Sequence, residues 1–201
     1  MKKVLFLLLT IGLLSCGNGD NKSLDTQKDK KETSTNTSTG IPKILPENSK
    51  LILNGSGFRN KYFVKVYECG LYLTEKNNNQ EQVINSDSAA AVRLKINSIL
   101  ITKDNMDAVV REGFVKSTNG NTAKIQSQID QMMTSFQKYP VTVGNVYDMV
   151  YIPGEGVQGY LNEKSWGPII KCGPEFRHAL IGIWLCNNPA DAELKIKMLG
   201  K

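Results

Sequence analysis

The residue pattern predicts an α+β domain in which an antiparallel sheet is backed on one face by helices. Three features carry this prediction. Short apolar runs bounded by glycine, asparagine and proline recur early and late in the chain, the apolar spacing changes to three or four residues in the middle, and a strand-turn-strand pattern precedes closing helices.

In chain order, "SKLILNG" and "KYFVKVYECGLYLTE" read as strands, with "GSGFRN" as the turn between them. In the second strand both alternating sets, Phe63, Tyr67, Leu71, Leu73 and Tyr62, Val64, Val66, are apolar, so both faces are at least partly covered. "NNNQEQ" reads as a loop and "AAAVRLKI" as a third strand. Met106, Val109, Val110 and Phe114 then mark an amphipathic helix that ends near "STNGN". A second helix follows, with Asn121 or Thr122 as its cap and Ile125, Ile129, Met132, Met133 and Phe136 on one face. "GNVYDMVYIPGEGVQGYLN" reads as a hairpin turning at "PGEG", and "PIIKC" as a short strand. "PEFRHALIGIWL" is a helix with Pro174 in its first turn and Phe176, Leu180, Ile183 and Trp184 inward. Pro189 heads a last short helix.

The first fifteen residues, "MKKVLFLLLTIGLLS", have the basic start, apolar run and small residues of a secretory leader. The run falls short of the about 20 apolar residues that a spanning helix needs. "LLSC" resembles the lipobox of bacterial lipoproteins, in which cleavage exposes the cysteine to lipidation. Cys16 is thereby expected to be a stable membrane tether, exported and facing the periplasm, with an uncleaved anchor as the rival reading. Residues 16–42 hold almost nothing apolar beyond that cysteine and are expected to form a flexible tether. Residues 43–201 make one ordinary domain.

The formal net charge is +6, but the lysines are scattered and no basic run beyond "KDKK" exists, so no nucleic-acid partner is expected. With a single histidine, His178, and no CxxC, a zinc site and a histidine-dependent triad are both disfavoured. No metal or cofactor is expected. Cys69, Cys172 and Cys186 read as buried free thiols, since a helix between Cys172 and Cys186 would hold them roughly 20 Å apart. The glycines of "GSGFRN" do not fit a nucleotide loop, because a strand and not a helix follows them. The carboxylates are dispersed, and nothing singles out a catalytic pair.

Arg59 and Tyr67 are the candidate binding residues. On one straight strand they would lie roughly 26 Å apart at about 3.3 Å per residue, so they meet only if the chain folds back near Asn60 and Lys61. If they meet, a guanidinium and a phenol make a clamp for a carboxylate through two parallel charge-assisted hydrogen bonds and a third from the hydroxyl.

"GSGFRNKYFVKVYECGLYL", "YIPGEG" and "FRHALIGIWLCNNPADAELKIKMLG", in that order, resemble the bacterial chalcone isomerase-like family, relatives of plant chalcone isomerase and of fatty-acid-binding proteins of that fold. The resemblance implies an open-faced β-sandwich, a large antiparallel sheet against a layer of helices, with a ligand cleft between them. It implies that Arg59 orients a substrate or binds a carboxylate, and that Tyr67, where the isomerases carry threonine, sides with the fatty-acid binders. The isomerase tyrosine and asparagine fall near Asn105 and Glu112 and its late threonine near Trp166, so the catalytic apparatus is read as absent. The expectation is a membrane-tethered, non-catalytic binder of a fatty acid or similar amphiphile. The alternatives are an intramolecular lyase or isomerase acting on a phenolic or enone compound, and a structural lipoprotein whose cleft is filled by its own side chains.

Overall fold

The computed structural model describes residues 50–201. The leader over 1–15, the tether over 16–42 and the lipidation expected at Cys16 lie outside the described residues.

Six antiparallel strands follow one another in sequence order across a single sheet: β1 (Ile52–Lys61), β2 (Val64–Leu73), β3 (Ala90–Ile96), β4 (Val146–Ile152), β5 (Gly156–Leu161) and β6 (Lys164–Ser165). Helix α1 (Gln80–Asn85) connects β2 to β3. Helix α2 (Lys103–Ser117), a 3₁₀ turn (Ala123–Ile125) and helix α3 (Gln126–Phe136) connect β3 to β4. Helices α4 (Pro174–Leu185) and α5 (Ala192–Met198) close the chain.

Strand alternation decides which side chains meet the helices. Tyr67, Cys69, Leu71 and Leu73 on β2, Val92, Leu94 and Ile96 on β3, and Tyr147, Met149 and Tyr151 on β4 join Phe114, Ile129, Met132, Phe176, Leu180 and Leu194 of the helices in one apolar cluster. The opposite face carries a smaller cluster of Tyr72, Ala91, Val150 and Tyr160. There Arg93 grips Asp148 with two parallel bonds of 2.7 and 2.9 Å. The predicted sheet with helices on one face is the observed architecture.

Several elements differ from the sequence reading. "GSGFRN" is the interior of β1, not a turn; the chain reverses at Tyr62 and Phe63. The glycines serve clearance instead, since a methyl on Gly55 would sit 2.0 Å from the Lys197 carbonyl oxygen of α5. "NNNQEQ" contains the start of α1, whose cap is the Asn79 side chain accepting from the Gln82 amide. That helix buries only Val83, which leaves little apolar periodicity to read. Thr122 leads into the 3₁₀ turn and donates to the Gln126 side chain, with no capping bond to the backbone. "PIIKC" contributes one bridge, Ile170 to Val157.

Cys172 and Cys186 flank α4, and both are free, as is Cys69; only Cys69 is buried as expected, since the other two sit outside the helix at its ends and are partly exposed. Among the described residues no helix is long and apolar enough to cross a membrane. No cluster of His, Cys, Asp or Glu there is placed to hold a metal ion.

Candidate functional site

The site begins in the β1–β2 hairpin. Arg59 and Tyr67 are direct cross-strand partners, and the next pair is Asn60 with Lys65. Val66 is therefore the extra residue of a bulge, and its carbonyl accepts from the Asn97 amide at 3.0 Å. A bulge re-aims the side chains around it. Val66 and Tyr67, adjacent in sequence, consequently border the same cavity.

That cavity has a volume of about 230 Å³ and lies between the hairpin, β3 and helices α2 and α4. Leu94 and Ile96 form its floor, Met106, Val109 and Val110 of α2 one wall, and Ile183 and Trp184 of α4 the other. Two cationic side chains, Arg59 and Lys61, border it together with Tyr62. Among the described residues no carboxylate and no histidine borders it.

The two candidate residues do meet, because the chain folds back two residues beyond the expected place. The Arg59 guanidinium carbon is 5.8 Å from the Tyr67 ring centroid. Arg59 is half-buried and has no ion pair among the described residues. Tyr67 is buried, and its oxygen accepts from the Trp184 indole at 3.1 Å. Burial first, then the neighbouring Cys69, pushes its phenol up to about 12, against smaller opposing effects of Arg59 and Trp184. The phenol thus keeps its proton at neutral pH. Its oxygen takes a bond from Trp184, leaving the O–H as a donor.

Asn105 also borders the cavity, but its amide is occupied. Its Oδ1 accepts from the Thr102 amide at 2.9 Å and its Nδ2 donates to the Leu100 carbonyl at 2.6 Å, completing the capping box at the start of α2. Glu112 does not border the cavity; it pairs with Lys116 at 2.7 Å, and that bond is the first cause of its lowered pKa. Trp166 lies elsewhere, packed against Phe136 and Tyr147 with centroids 4.3 and 5.9 Å away.

A sequence profile described as chalcone isomerase-like matches residues 32–200. The chain belongs to that family. Among the solved structures similar to this chalcone isomerase-like chain is a crystal structure of a fatty-acid binding protein from Arabidopsis thaliana. The two superimpose with a TM-score of 0.60 at 13% identity, over 77% of this chain and 89% of that one. A search of curated proteins finds no match. The likeness establishes a shared fold, the open-faced sheet and helix layer described above.

Sequence reasoning placed Trp184 in the core and missed its part in the site. Its signal was chemical: an indole N–H on an otherwise apolar helix face needs an acceptor, and the buried strand opposite supplies a phenol. Lys61 and Tyr62 were missed because the chain reversal that brings them to the cavity edge lacks the usual turn residues.

Proposed function

We propose that the cavity binds a fatty acid or similar amphiphilic carboxylate without transforming it, with Arg59 and Tyr67 holding the acid head and the apolar walls holding the chain. The observation that carries this reading is an arginine with no ion-pair partner among the described residues, beside a protonated phenol, at a largely apolar cavity. A cation so placed favours an anion, and the fork and hydroxyl can fill three of a carboxylate's four acceptor positions. The volume is below the about 300–1,000 Å³ of drug-sized sites, which suits one narrow chain. The fatty-acid binding protein of the same fold adds support by analogy.

The isomerase alternative needs a group to move a proton. The bordering residues offer no carboxylate or imidazole, the Tyr67 phenol is too weak an acid at neutral pH, and Asn105 is spent on a helix cap. The structural alternative calls for Arg59 paired with an internal carboxylate and no cavity beside Tyr67; the cavity and the lack of an ion pair to Arg59 among the described residues speak against it. Tethering through lipidated Cys16 on the periplasmic side of a bacterial membrane is part of the proposal and rests on the "LLSC" motif.

Native mass spectrometry of protein purified without delipidation, alongside Arg59→Ala, tests the ligand. Wild type is expected to carry acyl acids and the variant to lose most of them. If neither binds any acyl ligand, the reading fails. Tethering is tested by membrane fractionation, where Cys16→Ser is expected to move the protein to the soluble fraction.

A further inference from the structure

The reversal between β1 and β2 is made by two residues, Tyr62 and Phe63, with φ of 50° and 65°. Both central positions are left-handed, as in the hairpin turns that favour Asn-Gly or Gly-Gly. Large side chains there are disfavoured by backbone sterics. They recover little by packing: Tyr62, at the cavity edge, is 82% exposed and Phe63 is wholly exposed. A strained aromatic pair that the fold hardly buries points to something outside the chain.

We propose that the Tyr62–Phe63 tip is a membrane-docking site that seats in the headgroup layer of an anionic bilayer. Aromatic rings favour that layer, with their apolar bodies inward and polar edges wet. The charge is complementary: residues 58–67 include Arg59, Lys61 and Lys65 and no carboxylate. Lys61 lies 5.6 Å from the Tyr62 ring and Lys65 4.4 Å from the Phe58 ring, so cations and aromatics share one surface.

A second apolar loop adjoins the tip. Ile99 is 84% exposed and Leu100 is 48% exposed. Leu100 borders the same cavity as Lys61 and Tyr62, so both loops stand at one cavity. Apolar loops with a basic surround need an apolar layer beneath an anionic one, which a bilayer supplies and a nucleic acid does not. Docking this way would open the cavity toward the lipid. The proposal does not depend on which molecule the cavity holds.

The test uses the full-length chain as Cys16→Ser, which carries no lipid anchor, with Phe63→Trp, mixed with vesicles of brominated phosphatidylcholine with or without phosphatidylglycerol. Trp166 and Trp184 are buried, so Cys16→Ser alone gives the baseline. Quenching beyond that baseline is expected with phosphatidylglycerol present, and Lys61→Glu/Lys65→Glu is expected to raise the half-quenching lipid concentration at least about tenfold. No quenching beyond the baseline, or quenching indifferent to both lipid charge and these lysines, overturns the proposal. A second reporter, Ile99→Trp, allows removal of the tip itself. Adding Tyr62→Asn/Phe63→Gly is expected to abolish its quenching while the protein melts no lower than before; retained quenching overturns the proposal.

Discussion

Arg59 and Tyr67 face one another across the β1–β2 ladder, with the guanidinium carbon 5.8 Å from the phenol ring. A cation–π contact at a half-exposed site is worth about 0.5–1 kcal/mol, enough to bias the arginine toward the ring. The strand pair thus orients a cation at the cavity. Replacing the fork by a point charge tests whether it is used.

Arg59→Lys is expected to weaken a bound fatty acid by about 10–150-fold, the loss of one charge-assisted hydrogen bond of roughly 1.5–3 kcal/mol. The methyl ester of the same acid has no carboxylate, so its affinity is expected to change little. Competition against a fluorescent fatty acid measures both. Equal losses for acid and ester would point to packing and not to head recognition. Because Tyr67 keeps its proton up to about 12, acid binding by wild type is also expected to be flat from pH 7 to pH 10.

The Tyr67–Trp184 bond has a consequence for stability. Tyr67→Phe leaves the buried indole N–H without its acceptor, at a cost of about 1–3 kcal/mol. Trp184→Phe removes the orphaned donor, so the two losses are expected to be less than additive, with a coupling of about 0.5–3 kcal/mol. Urea unfolding of the two single variants and the double variant measures it. Strict additivity would show that the bond contributes nothing.

How far the sequence foretold this arrangement depends on the range of the forces involved. The helices over Met106 to Phe114 and Phe176 to Trp184 were legible because their apolar spacing repeats locally. Arg59 and Tyr67 were legible as candidates by motif. Their meeting was not, because Tyr62-Phe63 continues the apolar alternation of a strand and carries no turn residue. "GSGFRN" misled for the opposite reason. Gly55 looks like a turn but answers a long-range demand, the close approach of the Lys197 backbone near the other end of the domain. Trp184 read as core and is buried; only the three-dimensional register of α4 on β2 gives it a polar partner at the cavity.

His178, the single histidine of the chain, predicts an acid-side sensitivity. Burial, then the adjacent Arg177 charge, lowers its pKa. Arg177 is itself buried and holds the carbonyls of Val83, Ile84 and Ser88, with its own pKa lowered to about 10 by burial, so it stays charged throughout the acid range. A histidine with a depressed folded pKa contributes stability that is present above its unfolded value, about 6.5, and is lost as pH falls through the folded value. The melting temperature of wild type is therefore expected to fall more between pH 7.5 and pH 5 than that of His178→Gln. Parallel pH profiles would show that the imidazole does not carry the effect.

The last prediction separates a cavity that holds an acyl chain from one that merely exists. Val110 is half-buried on α2 and borders the cavity from a different element than the strand pair that carries Arg59 and Tyr67. Val110→Phe enlarges a side chain lining the 230 Å³ space while keeping both head-group residues. Filling an internal void commonly adds about 0.5–2 kcal/mol of stability, whereas forcing extra atoms into a packed core costs about 1–3 kcal/mol. An unchanged or raised melting temperature, with acyl binding reduced at least about tenfold, is expected if the chain occupies this void. Undiminished binding would place the chain elsewhere and leave Arg59 and Tyr67 holding a head group whose tail runs outside the cavity.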